Sequence, residues 1–226
     1  MDFSETREDI AAQTARFWAG VPSVPNKKKE SMAIYTCFIQ HVINSLKKTG
    51  KGAIVVPTGF VTAKSGVEGK VLKHIIDNHI VYGCISMPSN VFATTGTNVS
   101  VLFFDNSKKN DKVVLIDASK MGEDYQEGNN KKKRLRPEEI DKIVDTFNQK
   151  EAVEDFSVVV SYEELQEKYS LSAGQYFDIK IEYVEMTEDE FNEKISGYKQ
   201  QLNELFAKND ELEKKIKDNL ERLKYE

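Results

Sequence analysis

The sequence predicts an α/β domain followed by one long amphipathic helix. Short apolar runs rich in β-branched residues, such as residues 52–57, alternate with stretches whose apolar residues recur every three or four positions. The final segment, residues 187–226, carries a heptad pattern instead. The 226 residues are 39% hydrophobic and 31% charged, which is typical of a soluble globular chain.

The first half of the chain alternates predicted helices and strands. Helical spacing of apolar residues runs from Met32 to Leu46, and Gly50 ends that helix. The run Gly52–Pro57 fits a strand buried on both faces of a sheet. Ser65 and Glu68 have the spacing of a capping box at the start of a second helix.

Three more strands are predicted after the second helix. They cover Ile80–Met87, Asn98–Asp105 and Lys112–Asp117. The first two are joined by a short loop, so they are close enough in sequence to pair antiparallel.

The composition changes after Ala118. The polar stretch Met121–Arg136 is predicted to be an exposed loop before a helix that starts at Pro137, with Glu138 and Glu139 in its first turn. A strand is expected over Phe156–Val160. A short helix is expected next, capped by Ser161 and Glu164.

The closing helix has the clearest pattern in the chain. Thr187 and Glu190 form a capping box in the sequence, and Met186 and Phe191 are spaced for a hydrophobic staple. Apolar residues then follow alternating spacings of four and three, with two asparagines in the seam: Phe191, Ile195, Tyr198, Leu202, Leu205, Asn209, Leu212, Ile216, Asn219 and Leu223. Helical to its end, the segment would span about 58 Å. Such a seam must be buried against a partner, and no second helix of matching length is predicted for an intramolecular hairpin.

Charge and composition exclude several classes of protein. The formal net charge is −5, so any contact with nucleic acid must be local. The two cysteines are too few for a disulfide framework, and no signal peptide or membrane-length apolar run is present, so we predict a cytoplasmic protein without membrane contact. The basic run Lys131, Lys132, Lys133 and Arg134 could contact DNA phosphates or be a solvated loop.

General catalytic motifs are missing. Gly50-Lys-Gly52 precedes its strand, whereas a nucleotide-binding glycine turn follows one. Cys37 and His41 lie four apart on a helix, but zinc needs three or four ligands, so no metal site is predicted. Phe92, in the loop between two strands, could plug the end of the sheet or contact a ligand.

A series of colinear segments resembles the second half of the catalytic domain in type I restriction-modification methyltransferase subunits, which belong to the N-6 adenine-specific DNA methylases. The segments are Gly52–Gly59, the helix with Gly69-Lys70, Ile85–Phe92, Thr95–Phe104 and Val114–Ser119. Leu171–Phe177 is similar to a Ser-Ala-Gly-Arg-Tyr-Val element of the family, with Gln175 in place of the arginine. The closing helix also resembles the family's carboxy-terminal helix.

The resemblance implies a fold and a site. It implies the carboxy-terminal portion of a doubly wound, Rossmann-like sheet, with Gly52–Pro57 as the fifth strand and the pair at Ile80 and Asn98 as the sixth and seventh. It also implies that the loop with Asn90, Phe92, Thr95 and Thr97 faces the target adenine, with the aromatic ring stacking on the flipped base.

Two features that the family needs are absent. The Asn-Pro-Pro-Tyr or Phe motif and the glycine-rich turn that binds S-adenosylmethionine are both missing, so no catalytic residue is assigned in this chain and no cofactor is expected to bind to it alone. In the family both precede the matching segments. The sequence therefore resembles an interrupted gene product, part of a split subunit or a shortened piece.

Four segments and three hypotheses follow. The segments are a loop-rich lead-in (1–30), the carboxy-terminal part of the catalytic domain (31–120), a peripheral α/β extension (121–186) and the heptad helix for subunit assembly (187–226). The chain is expected to contribute to an adenine methyltransferase, to be a non-catalytic assembly module, or to be a coiled-coil scaffold with an α/β head. The resemblance implies as partners DNA, a specificity subunit that docks on Ile195, Leu202, Leu205, Asn209, Leu212 and Ile216, and a restriction subunit or an amino-terminal methylase fragment.

Overall fold

The computed structural model describes residues 6–25, 32–91, 98–107, 109–128, 130–177 and 187–221. The chain divides into two compact units, Met1–Asp178 and Ile179–Glu226. The first unit contains a mixed α/β fold, and the second contains one long helix.

The elements follow one another along the chain in this order. They are α1 (Arg7–Ala12), α2 (Tyr35–Ser45), β1 (Lys51–Pro57), a 3₁₀ turn (Thr58–Thr62), α3 (Gly66–Asp77), β2 (Val81–Ser86), β3 (Val99–Asp105), β4 (Lys112–Asp117), β5 (Glu123–Glu127), β6 (Asn130–Arg134), α4 (Pro137–Gln149), β7 (Ser157–Ser161), α5 (Tyr162–Lys168), a second 3₁₀ turn (Ala173–Gln175) and α6 (Glu188–Glu221).

Five strands form the main sheet in the order β1-β3-β2-β4-β7. β3 runs antiparallel to both β1 and β2, β2 and β4 are parallel, and β7 is antiparallel to β4. β1, β2 and β4 therefore point the same way and end on one edge of the sheet. Among the described strands, β1 pairs only with β3, which leaves its other side unpaired.

The core covers the two faces of this sheet unequally. On one face α2, α3 and α5 pack on the strands through a large cluster that includes Ile39, Leu72, Leu102 and Leu165. On the other face α4 packs over the middle of the sheet. Its Phe147 lies so close to the backbone of β2 that a Cβ at Gly83 would be 2.3 Å from the ring, so only glycine fits there.

The lead-in before α2 is held by buried hydrogen bonds. The amide of Gln40 accepts from the Ala19 N–H (2.8 Å) and donates to the Gly20 carbonyl (3.0 Å). Trp18 stacks on His74 of α3, with 3.7 Å between the ring centroids. The segment predicted to be rich in loops thus contributes packing contacts to the same unit.

Most predicted elements of the first unit are confirmed within one to three residues at each end. The strands at Ile80–Met87 and Asn98–Asp105 pair antiparallel as expected, and α4 begins at Pro137. The capping box at Ser161 and Glu164 is formed, because each residue's side chain accepts from the other's backbone N–H.

Three predictions about the first unit are wrong. The strand Gly52–Pro57 is covered on one face only: Ile54 and Val56 pack into the large cluster, whereas Val55 on the other face is 44% exposed. The Ser65 side chain makes no capping hydrogen bond, and the Glu68 carboxylate accepts from the Tyr35 hydroxyl (3.1 Å). The stretch predicted as a loop over Met121–Arg136 contains the hairpin β5–β6, in which carboxylates of β5 pair with cations of β6.

The second unit contains the predicted closing helix. Its start is fixed by the predicted capping box, in which the Thr187 N–H donates to Glu190 (2.9 Å) and the Glu190 N–H donates to the Thr187 hydroxyl (3.3 Å). Met186 of the predicted staple and Leu223 of the predicted seam lie outside the described residues. The 34 residues of α6 correspond to about 50 Å of helix.

Candidate functional site

The carboxyl ends of three parallel strands meet on one edge of the sheet. β1 ends at Pro57, β2 at Ser86 and β4 at Asp117. Open α/β sheets bind ligands outside the carboxyl ends of their strands, in loops supported by a rigid framework. We call this side of the sheet the carboxyl edge and treat it as the candidate functional site.

The segment that joins β2 to β3 begins and ends on the carboxyl edge. At its start the Met87 N–H donates to the Val99 carbonyl (2.8 Å), and at its end the Thr58 N–H donates to the Asn98 carbonyl (3.0 Å). Both ends of the segment are therefore fixed to the sheet at the carboxyl edge, where open α/β sheets bind their ligands.

The predicted base-facing residues lie in this segment. Asn90 has a φ of 60°, in the left-handed region that asparagine tolerates better than most side chains. Its carbonyl accepts from the Lys133 N–H of β6 at 3.0 Å. Phe92, Thr95 and Thr97 lie outside the described residues, so their roles stay predictions.

A pair of hydroxyl groups at the carboxyl edge was missed at the sequence level. The Thr58 and Ser100 side-chain oxygens are 3.1 Å apart, and Ser100 is fully buried beside its cross-strand neighbours Val56 and Ser86. The sequence signal that could have identified the pair is a serine inside the otherwise apolar start of β3. The pair fixes the start of the 3₁₀ turn to β3 and thereby supports the edge.

The hairpin β5–β6 carries the predicted basic run. Lys132 pairs with Glu127, Lys133 with Asp124 (3.7 Å) and Arg134 with Glu123 (2.6 Å). Arg134 also lies over the Tyr125 ring. These three cations are already balanced by carboxylates of the facing strand.

Lys131 differs from the other three. It lies across from the neutral Gln126, is exposed and has no ion-pair partner among the described residues. A phosphate contact at Lys131 would not have to replace an existing ion pair, so it is the strongest of the four phosphate candidates.

Glu139 connects the base of this hairpin to α4. Its carboxylate accepts from the Gly122 N–H (2.9 Å), the Arg136 backbone N–H (2.8 Å) and the Arg136 guanidinium (3.1 Å). The hydrogen bonds from the Arg136 side chain and backbone, followed by the one from Gly122, lower the pKa of Glu139 to about 2. The carboxylate is therefore ionised at neutral pH and holds Gly122, whose φ is +87°.

The predicted docking residues lie on α6, none of whose described residues is buried. Leu202, Leu205, Leu212 and Ile216 are each about half or more exposed, between 49% and 61%. Ile195 is partly exposed, and Asn209 occupies a polar position of the same seam. Within its own unit α6 is the only described helix, so an intramolecular hairpin there is not available to cover the seam.

Cys37 and His41, the two residues that were considered as metal ligands, lie in the described part of the chain. Cys37 is buried, and His41 contacts the Arg16 guanidinium at 2.6 Å. Within the described part of the chain, no group of three or more His, Cys, Asp or Glu side chains has a metal-binding arrangement. Nor is any described helix both long enough and apolar enough to cross a membrane.

Comparison with known families decides the class of protein. Residues 1–204 match the family model for N-6 DNA methylases. The chain belongs to this family. The motif resemblance found in the sequence is thereby confirmed.

Similar N-6 methylases are subunits of type I restriction enzymes. The chain is 31% identical over 202 residues to the MpnII methylase subunit of Mycoplasma pneumoniae, covering 88% of this chain and 34% of that protein. It is 30% identical over 215 residues to the MjaIX methylase subunit of Methanocaldococcus jannaschii, covering 90% and 36%. The chain thus spans about a third of the length of these relatives.

Solved structures agree with this N-6 methylase assignment. A type I restriction-modification methyltransferase subunit from Streptococcus thermophilus superposes with a TM-score of 0.57 at 27% identity, covering 66% of this chain and 31% of that one. A structure from a type I restriction-modification system reaches 0.51 at 16% identity, covering 88% and 44%, and shows similarity of fold alone.

Proposed function

We propose that this chain is the carboxy-terminal portion of a type I restriction-modification DNA adenine methyltransferase subunit. In this proposal it contributes the base-facing segment between β2 and β3 and a helix, α6, that docks a specificity subunit. The observation that supports the proposal is the position of the two ends of that segment at the carboxyl edge, where both are hydrogen-bonded to the sheet. The antiparallel pairing of β2 with β3 agrees with their assignment as sixth and seventh strands, and β1 is then the fifth.

Modification of an adenine inside a duplex gives a physical reason for an aromatic residue at position 92. An enzyme that modifies a base must take the base out of the stack, and an aromatic face then replaces the lost neighbours. Asn90, Thr95 and Thr97 provide polar groups in the same segment. We assign the stacking role to Phe92 and contacts with the base edge or backbone to these three residues.

The cofactor of the complete enzyme is S-adenosylmethionine, which would supply the methyl group. The described residues of this chain do not fit a pocket for it. Gly52 packs against α2, where a Cβ would lie 3.2 Å from Val42, and a Cβ at Gly69 would lie only 2.7 Å from the Lys64 backbone. Both glycines thus serve close packing, so we derive no catalytic step from residues of this chain.

DNA contact by the hairpin is part of the same proposal. Lys131 would contact a phosphate, with smaller contributions from Lys132, Lys133 and Arg134 because of their ion pairs. Such contacts position DNA without reading its sequence, which is consistent with base reading by a separate specificity subunit.

Substitution of Phe92 tests the proposal in a reconstituted complex. The chain is coexpressed with a specificity subunit and with an amino-terminal methylase part that carries the cofactor pocket and the Asn-Pro-Pro-Tyr or Phe motif. Phe92→Ala should weaken engagement of the flipped base by about 1–3 kcal/mol, because one stacking face is lost. Phe92→Tyr keeps that face and should retain most of the methyl transfer, measured with labelled cofactor.

The opposite outcome would support the plug interpretation of Phe92. In that case Phe92→Ala unfolds the chain, and urea denaturation shows a lower midpoint. Base binding in any complex that still assembles is then unchanged.

A non-catalytic assembly module is the second candidate function. The exposed seam of α6 and the absence of the two catalytic motifs from this chain favour it. Two observations discriminate the enzyme from the assembly module. A reading frame immediately upstream of the coding region that encodes Asn-Pro-Pro-Tyr or Phe supports the enzyme. A complex that assembles but never transfers methyl groups supports the module.

A further inference from the structure

The outer side of β6 contacts the segment between β2 and β3. Lys133 lies opposite Asp124 in the hairpin, yet its backbone N–H donates away from the hairpin to the Asn90 carbonyl, at 3.0 Å. Asn90 is also the residue with a left-handed φ of 60°. A hydrogen bond to its carbonyl therefore fixes the orientation of the chain just before Phe92.

The hairpin is itself rigidly anchored at its base. Glu139 holds the Gly122 N–H at 2.9 Å, and Met121 and Leu135, on either side of the hairpin, pack against the cluster formed around Ile85 and Ile116. Gly122 lies so close to β6 that a Cβ there would be 2.9 Å from the Lys133 side chain. The base of the hairpin thus connects the core directly to the residue that holds Asn90.

We propose that the β5–β6 hairpin is a positioning element for the base-facing segment, acting through the Lys133 N–H and the Asn90 carbonyl and anchored by Glu139. The inference rests on the proposed function for what the segment does. It adds residues outside that segment that would set its geometry: Lys133, Gly122 and Glu139. They act through Asn90 and do not touch the base themselves.

Amide hydrogen exchange on the full chain tests the anchoring without any activity. Glu139→Gln removes the carboxylate at the base of the hairpin, and exchange at the Lys133 amide should become at least tenfold faster. Glu164→Gln is the matched control, since Glu164 is the equivalent capping-box residue of α5, where its carboxylate accepts from the Ser161 N–H. It should leave Lys133 exchange within twofold of wild type. Unchanged exchange in Glu139→Gln, or a Lys133 amide that is unprotected in wild type, would overturn the proposal.

A pair of substitutions at one position tests the effect on the base. Lys133→Pro and Lys133→Gln both remove the ammonium group, but only proline removes the N–H that bonds to Asn90. In the assembled complex on DNA with 2-aminopurine at the target adenine, base-flipping fluorescence should be at least threefold lower for Lys133→Pro. The DNA dissociation constants of the two variants should agree within twofold.

The outcomes separate this inference from the proposed function. Equal fluorescence for the two Lys133 variants, together with a loss in Phe92→Ala, overturns the positioning role and leaves the proposed function intact. If Phe92→Ala also leaves fluorescence unchanged, the proposed function fails, and the positioning of the segment fails with it. If Lys133→Pro does not fold, Glu139→Gln is measured in its place. The same loss of fluorescence is expected for Glu139→Gln, and a wild-type signal overturns the proposal.

Discussion

Glu139 shows how one carboxylate can organise a region of polar backbone. Three hydrogen bonds converge on it, and all of them favour the ionised form. Because the folded-state pKa is about 2, below the ordinary value of 4.5, the ionised group stabilises the fold at every pH above about 4.5. That stabilisation is lost as the pH falls from about 4.5 towards 2.

Glu139→Gln should therefore lower the melting temperature at pH 7, and the difference from wild type should shrink as the pH falls below about 4.5. Thermal unfolding followed by circular dichroism at pH 7 and pH 3 measures this. Glu138→Gln, an exposed neighbour, is the control and should change little. A difference between Glu139→Gln and wild type that is the same at both pH values would instead indicate a loss of packing.

Lys131 is expected to account for most of the hairpin's interaction with DNA. In the assembled complex, Lys131→Gln should reduce the slope of log K against log salt concentration by about 0.9, the value for one phosphate contact. Lys132→Gln is the matched control, because Lys132 is ion-paired to Glu127, and its slope should change less. Equal slopes for wild type and Lys131→Gln in fluorescence anisotropy titrations would contradict the assignment.

At the scale of elements, β1 and α6 each have a surface that the described chain leaves uncovered. β1 pairs on one side only and exposes Val55, and α6 exposes an apolar seam. Unpaired strand edges and long apolar helix faces are rarely left exposed, because both promote association. We propose that a further strand of a complete methylase covers β1 and that a specificity subunit covers α6.

The seam of α6 should determine assembly. We predict that the chain alone self-associates or aggregates, and that coexpression with its specificity subunit yields a soluble complex through residues 187–226. A truncation ending at Met186 should lose the partner in a pull-down, as should Leu205→Glu combined with Leu212→Glu. Asn203→Glu, outside the seam, should retain it. A stable monomer by light scattering whose truncation still captures the partner would contradict both parts of this prediction.

As a whole molecule, the chain spans about a third of the length of its relatives, 34% and 36%. Its Gly52 and Gly69 are used for close packing. We propose that binding of the cofactor and chemistry on the base depend on residues that this chain does not supply.

The isolated chain should accordingly show no measurable methyl transfer to DNA and no tight binding of S-adenosylmethionine, because both pockets are built mainly from residues that it lacks. Isothermal titration calorimetry with the cofactor measures this directly, with the reconstituted complex as the positive control. A micromolar or tighter isotherm for the chain alone would contradict the prediction.

Much of the fold was predictable from local patterns. Apolar residues with periods of two or 3.6 placed β2, β3, β4, α2 and α6, because these patterns follow from which face of a single element is buried. The hairpin was not predicted, since its strands are formed almost entirely of charged and polar residues and have no apolar face. The one-sided burial of β1 was not predicted either, because burial of each face of a strand depends on which distant elements pack on the sheet.

The sequence by itself determined the α/β class, the long heptad helix, the family and the absence of the cofactor and catalytic motifs, since each is written in contiguous or regularly spaced residues. The tertiary structure alone decided that β7 joins the main sheet and that Glu139 and Lys133 connect the core to Asn90. It also decided that three of the four basic residues are ion-paired, whereas Lys131 has no ion-pair partner within the described part of the chain. These features depend on which distant residues become neighbours. Contacts of that kind have no local period, so they arise only when the chain has folded.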